Sequence, residues 1–166
     1  FQEPNFIPGM TIAENLTLFS PPTRLGLINW RRARRQARAI LQKVGLELDL
    51  SRQLNTLSVA EQQLLAVARA ISHNAKLLIL DEATTNLESH EVERLFRVIS
   101  SLVRQGMSVL FVTHHLDQVF DYASRISVLR NGRCVGTFAS ADISGQELVQ
   151  KMTSGIGCQR ELHPSG

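Results

Sequence analysis

The sequence predicts an α/β fold built on a parallel sheet, and three observations carry that expectation. Leu77-Leu78-Ile79-Leu80 is a run of four aliphatic residues, the pattern of a strand buried on both faces. Ser108-Val109-Leu110-Phe111-Val112 has the same character. Between them, a segment from Ser89 to Gln105 repeats Val92, Leu95, Phe96, Ile99, Leu102 and Val103 as a buried helical stripe, and Gly106 ends it. Strand, helix and strand in that order form a right-handed crossover unit whose strands finish on one side of the sheet.

The remaining elements follow in order. Residues 1–9 contain Pro4, Pro8 and Gly9 and read as a strand end entering a loop. Thr11 and Glu14 have capping-box spacing, which opens a short helix to about Leu18; Ser20-Pro21-Pro22 breaks the chain. Asn29 caps a long polar helix with Ile40, Leu41 and Val44 as its apolar stripe and Gly45 as its stop. Ser58 and Glu61 form a second capping box, for a helix through about Ile71 whose Leu64, Leu65, Ala68 and Ile71 fall on one side. After the crossover unit come a short helix near 117–123 and two strands, 126–129 and 134–138, joined through Asn131-Gly132, a strong hairpin signal. Ser144 caps a last helix to about Met152, and the tail beyond Gly155 is polar. The expected organisation is helical over 1–75 and sheet-based over 76–155, with a flexible tail over 156–166.

Composition excludes several classes. The 166 residues are 43% hydrophobic and 20% charged, ordinary for a soluble α/β protein. Apolar runs fall well short of the roughly 18 residues that span a membrane. Two cysteines, Cys134 and Cys158, lack metal or redox spacing and read as reduced thiols. The net charge of +3 is too mild to imply nucleic acid. Arg31, Arg32, Arg34, Arg35 and Arg38 beside Trp30 could contact nucleic acid or lipid headgroups, and a solvated helix face is the simpler reading. The chain starts at Phe1 in mid-pattern, without an initiator methionine, and is read as an excised fragment.

The chemistry-bearing residues sit where such folds gather ligands, outside the carboxyl ends of the strands. Asp81 and Glu82 follow the first aliphatic run at once. They alternate in direction along an extended backbone, so one can hold a divalent cation while the other addresses a water. The alternative is a pair of solvated acids at a strand end. His114 follows the second strand and comes to the same edge. The helix opening at Ser58 offers free N–H groups, the positive dipole end and a hydroxyl, which suits an anion, although for this segment in isolation an ordinary capped helix is the better reading.

Together these stretches resemble the ATP-binding-cassette ATPases, in the form used by sugar importers. Leu57-Ser58-Val59-Ala60-Glu61-Gln62-Gln63 is similar to their signature motif, Leu77 to Glu82 to the Walker B segment, Thr85-Asn86-Leu87-Glu88 to the D-loop, and Thr113-His114 to the switch-histidine loop. Phe1-Gln2-Glu3 resembles the Q-loop, and the run from Pro4 to Leu16 its importer-type continuation. The nearest resemblance is to the first cassette of the tandem ATPase subunit in ribose- and galactose-type importers. It implies a P-loop NTPase-like fold: the helical signature subdomain plus the C-terminal half of the RecA-like core.

The same resemblance implies roles. Asp81 and Gln2 would serve Mg²⁺, Glu82 would polarise the attacking water, and His114 would meet the γ-phosphate. Ser58, Val59, Ala60, Glu61 and Gln62 would grip ATP held by a second cassette, with Asn86 and Gln2 also at the nucleotide. The implied partners are integral membrane permease subunits, the second nucleotide-binding domain and, indirectly, a sugar-binding protein, on the cytoplasmic face of the membrane and without nucleic acid. Ala83 stands where the family usually has proline, and Glu88 where Asp or Thr is commoner. A Walker A motif needs Gly-Lys-Ser/Thr, and none of Lys43, Lys76 and Lys151 follows a glycine. The chain by itself is therefore expected to be inactive. A DNA-repair or translation cassette, or an inert interaction module, are the alternatives.

Overall fold

A computed structural model describes residues 6–18, 20–73 and 75–153. Gln2 with the rest of the Q-loop, Cys158 and the expected tail over 156–166 lie outside the described residues. The chain divides into two compact units, one running to Val112 and the other starting at Thr113.

The first unit opens with α1 (Ile12–Thr17), capped reciprocally by Thr11 and Glu14. Asn15 on this helix is 1% exposed. Its carboxamide accepts from the Ile7 N–H at 2.9 Å and donates to the carbonyls of Ile7, Met10 and Thr11, so it ties the preceding loop to the helix. Next, β1 (Thr23–Arg24) and β2 (Leu27–Ile28) pair antiparallel across Leu25-Gly26. Both turn residues have positive φ, 53° and 79°, the two-residue turn that matches strand twist. This hairpin escapes periodicity because its strands are two residues long. Asn29 caps α2 (Trp30–Lys43) by accepting from the Arg32 N–H at 3.1 Å, and Gly45 ends it with a φ of +63°.

Ala33, Ala37 and Leu41 turn α2 toward α1 and α3 (Val59–Ser72). Then β3 (Leu77–Asp81), α4 (Ser89–Arg104) and β4 (Ser108–Val112) form the expected crossover, with β3 and β4 parallel and paired from Leu77↔Ser108 to Asp81↔Val112. The side chains of Leu41, Leu64, Leu65, Leu78, Leu80, Leu95 and Ile99 share one continuous core. Phe96 on α4 packs edge-on against Phe111 on β4, centroids 5.0 Å apart.

Three expectations change. The strands are buried on one face only: Leu78 and Leu80 point into the core, whereas Leu77 and Ile79 are 52% and 51% exposed. A sheet covered on one side alternates whatever its composition, and the helices packed here cover only that side. Val103 shares the angular position of the α4 stripe yet is half exposed, because burial in a last turn depends on what lies opposite. The α4 cap is Glu88 rather than Ser89, in a capping box with Glu91.

The second unit contains α5 (Leu116–Tyr122), β5 (Arg125–Arg130), β6 (Arg133–Ala139) and α6 (Gly145–Thr153). Here β5 and β6 form an antiparallel hairpin across Asn131-Gly132, both with positive φ. Ile126, Val128, Ile143 and Leu148 make its small core. Among the described residues, no helix is long and apolar enough to cross a membrane.

Candidate functional site

The carboxylate edge is built by the β3–β4 ladder. Asp81 is the last residue of β3 and pairs with Val112, the last of β4. The ladder continues one step further, since the Glu82 N–H donates to the Val112 carbonyl at 2.9 Å. There the backbone turns sharply: Glu82 has a φ of +51°, a left-handed conformation that a long side chain adopts at some cost. Two contacts from the following turn hold it. The Thr85 N–H donates to the Glu82 carbonyl at 3.3 Å, and the Thr85 hydroxyl donates to the Glu82 carboxylate at 3.0 Å. Ala83 and Thr84 are buried beneath that turn, while Asn86 is exposed on it. Asp81 and Glu82 are both half-buried, so each keeps access to solvent while its backbone is fixed.

The second cluster is the mouth of α3. The Ser58 Oγ accepts from the Glu61 N–H at 3.1 Å, and the Glu61 carboxylate accepts from the Ser58 N–H at 2.9 Å. The N–H groups of Val59 and Ala60 have no acceptor in the first turn, as geometry requires of a helix start. A carboxylate at this position would repel an incoming anion, but Arg52 stands 3.8 Å from it. Arg52 is itself fixed by donating to the Thr56 carbonyl at 2.6 Å. The Gln62 carboxamide donates to the Leu57 carbonyl at 3.1 Å and so braces the loop into the helix.

In the second unit, Thr113 Oγ1 accepts from the His115 N–H at 3.0 Å, and the rings of His114 and His115 lie 4.2 Å apart between centroids. Among the described residues, the His115 Nε2 is buried without a hydrogen-bond partner. Sequence reasoning passed over His115. Only its adjacency to His114 could have drawn notice, since burial of one ring nitrogen leaves no trace in spacing.

A family model described as ABC transporter matches residues 1–85. The ribose import ATP-binding protein of Corynebacterium glutamicum is 41% identical over 151 residues, covering 91% of this chain and 29% of the relative. The galactofuranose transporter ATP-binding protein of Escherichia coli K12 is 43% identical over 163 residues, covering 98% of this chain and 32% of the relative. The chain thus spans about a third of the length of these relatives. Among solved structures, the ATP-binding cassette MJ0796, a dimer in a post-hydrolysis state bound to ADP and Pi, superposes with a TM-score of 0.68 at 28% identity, over 84% of this chain and 61% of that one. The fold is that of ATP-binding cassettes, and the match of the family model over half of its residues shows that this chain belongs to the ABC transporter family.

Proposed function

We propose that this chain is part of the ATP-binding subunit of a sugar importer, contributing the signature lobe over 1–75 and the hydrolytic half of the core over 76–155. The observation that carries the reading is the β3–β4 register, which sets Asp81, and Glu82 one step beyond it, beside the end of β4. His114 follows Val112, the last residue of β4, by two positions in the chain. In the reading proposed, ATP is the substrate and water the nucleophile at its γ-phosphate. Glu82, anchored through its backbone and by the Thr85 hydroxyl, orients that water and accepts its hydrogen bond. His114 offers a ring N–H to the γ-phosphate oxygens. Such chemistry is mainly alignment and charge neutralisation.

Asp81, a half-buried carboxylate at a strand end, suits a hard cation, and Gln2 adds an oxygen donor; together they would hold Mg²⁺, which supplies charge neutralisation at the phosphates. The mouth of α3, through Ser58 with the N–H groups of Val59 and Ala60, and with Glu61 and Gln62 shaping it, receives the γ-phosphate of ATP bound to a second cassette. Asn86, exposed on the turn after Glu82, is also at the nucleotide in this reading. Permease subunits in the membrane, and through them a sugar-binding protein, complete the assembly at the inner face of the membrane; nucleic acid has no part in it.

The test uses the intact subunit. Glu82→Gln or His114→Ala is expected to stop ATP hydrolysis while ATP binding survives, and loss of binding instead would remove those residues from the hydrolytic role. The 166-residue chain is expected to show no Mg²⁺-dependent turnover, since it holds no Gly-Lys-Ser/Thr.

A further inference from the structure

A surface on the first unit is used by neither its core nor the nucleotide chemistry. Between Glu14 and Glu47 there is no acidic residue, whereas Arg24, Arg31, Arg32, Arg34, Arg35, Arg38 and Lys43 all fall there. Seven cations without a counter-charge are concentrated in one stretch of a chain whose net charge is +3. On α2, burial of Ala33, Ala37 and Leu41 leaves Arg31, Arg34, Arg35 and Arg38 at i, i+3, i+4 and i+7, which places them along one side of the helix. All four are exposed. Among the described residues none of them forms an ion pair within 4 Å; Asp49 senses Arg34 only weakly, its carboxyl being held below the ordinary value mainly by the Ser51 backbone N–H and hydroxyl.

On its own this stripe reads as a solvated face. The β1–β2 hairpin changes that. Leu25 at its tip is 95% exposed and Leu27 is 75% exposed, with Ile28 and Trp30 also presented to solvent. Leu25 holds a left-handed backbone that asparagine or glycine would occupy at less cost. Neither backbone preference nor core burial accounts for leucine there. The hairpin is also a fixed feature rather than a loose loop end: the Asn29 N–H, at the cap of α2, donates to the Pro22 carbonyl at 2.7 Å. An apolar tip, an amphipathic indole and an arginine stripe are thus joined through a single helix cap.

We propose that this surface docks directly on anionic phospholipid membrane, with Leu25 and Leu27 entering the acyl boundary, Trp30 at headgroup depth and the arginines on lipid phosphates. Charge complementarity selects an anionic surface, and the aliphatic tip selects lipid over nucleic acid. Single strands are held by stacking on several aromatics, and Trp30 is the one aromatic of this patch. The proposal requires neither ATP nor a permease, so it stands or falls separately from the importer reading.

Trp30 is the only tryptophan in the chain, so its emission reports the docking without a label. The full 166-residue chain is titrated with mixed phosphatidylcholine–phosphatidylglycerol vesicles and with pure phosphatidylcholine vesicles, and sedimentation is followed alongside fluorescence. Expected are a blue shift and co-sedimentation with the anionic vesicles only, weakening as salt rises. Leu25→Asn with Leu27→Ser should lower partitioning by about tenfold, with an unchanged circular dichroism spectrum because Asn-Gly favours this turn. Arg35→Gln and Arg38→Gln should each lower it by about fivefold. Absence of binding to anionic vesicles, equal binding to neutral ones, or a tip variant that partitions like the parent would overturn the proposal. So would a single-stranded oligonucleotide that shifts Trp30 emission equally in the parent and the tip variant, which would assign the patch to nucleic acid.

Discussion

Ser58→Ala in the 166-residue chain removes the oxygen that accepts the Glu61 N–H and leaves the reciprocal bond, from the Ser58 N–H to the Glu61 carboxylate, in place. An N-cap serine contributes about 1 kcal/mol. Ser58 is exposed, so water recovers part of the loss and about 0.5–1 kcal/mol is expected. Glu61→Ala removes the other bond together with a charge that complements the helix dipole and a pair with Arg52 whose side chains are 38% and 26% exposed. The bond is worth about 1 kcal/mol, the dipole about 0.5 and the exposed pair a few tenths, giving roughly 1.5–2 kcal/mol. Glu61→Gln keeps a capping-box acceptor and loses only the charge, for about 0.5–1 kcal/mol.

Urea unfolding followed by far-ultraviolet circular dichroism reads these differences as midpoint shifts at constant slope. Because each bond holds the loop in the geometry the other needs, Ser58→Ala with Glu61→Ala should cost about 0.5 kcal/mol less than the sum of the singles. Strict additivity would refute the reciprocity. A Glu61→Gln variant as unstable as Glu61→Ala would show that charge, and not the bond, stabilises this end. The same variants bear on the proposed ligand role in the intact subunit. If Ser58 and Glu61 shape the mouth of α3, Ser58→Ala and Glu61→Ala should weaken ATP binding in the folded intact subunit, whereas a purely structural cap would lower stability and leave the affinity unchanged.

Three further outcomes are expected. Asn15→Ala leaves the Ile7 N–H without its side-chain acceptor and removes one of the two bonds at the Ile7, Met10 and Thr11 carbonyls, which still accept from the backbone N–H groups of Met10, Leu54 and residue 15; it should cost about 2 kcal/mol in urea unfolding, a small effect implying that water enters the site. Glu82→Asn exchanges the Thr85 bond for a residue suited to a positive φ, so stability should stay within about 0.5 kcal/mol of the parent while hydrolysis in the intact subunit is lost; destabilisation well beyond that would mean the backbone there is not strained. The carboxyls of Glu14 and Glu147 are held below the ordinary value, first by the backbone N–H groups of Thr11 and Ser144 and then by their hydroxyls. A lowered folded-state pKa gives stability that is complete above the unfolded value, about 4.3 for glutamate, and is lost as pH falls through the folded one. Acid unfolding scans should therefore flatten below about pH 4.5 in Glu14→Gln with Glu147→Gln, and an unchanged slope would place the acid sensitivity elsewhere.

The elements legible in the sequence are those whose cause is local. Thr11/Glu14, Ser58/Glu61 and Ser144/Glu147 each fix a helix start through bonds spanning three residues, and Gly45, Gly106 and Gly132 mark reversals through their own backbone freedom. The β3–α4–β4 unit was readable because apolar period and length suffice to identify it. Asn15 was not readable: a polar residue inside a helix becomes a core residue only through a loop eight residues away. The β1–β2 hairpin was hidden for the opposite reason, since two-residue strands carry no period and Leu25-Gly26 departs from the Asn-Gly pattern.

At the carboxylate edge the sequence located the acids but not what holds them. Four aliphatic residues followed by Asp81 and Glu82 say that charge emerges from a sheet; they do not say that Glu82 leaves the strand with a positive φ while its N–H still belongs to the ladder. That combination separates the two neighbours physically. Asp81 inherits its direction from the pleat of β3, whereas Glu82 takes its direction from the turn, through Thr85. A substitution in the turn at Thr85 therefore removes a bond that the Glu82 carboxylate accepts, and in the proposed function it should disturb the water-orienting acid through the turn that aims it.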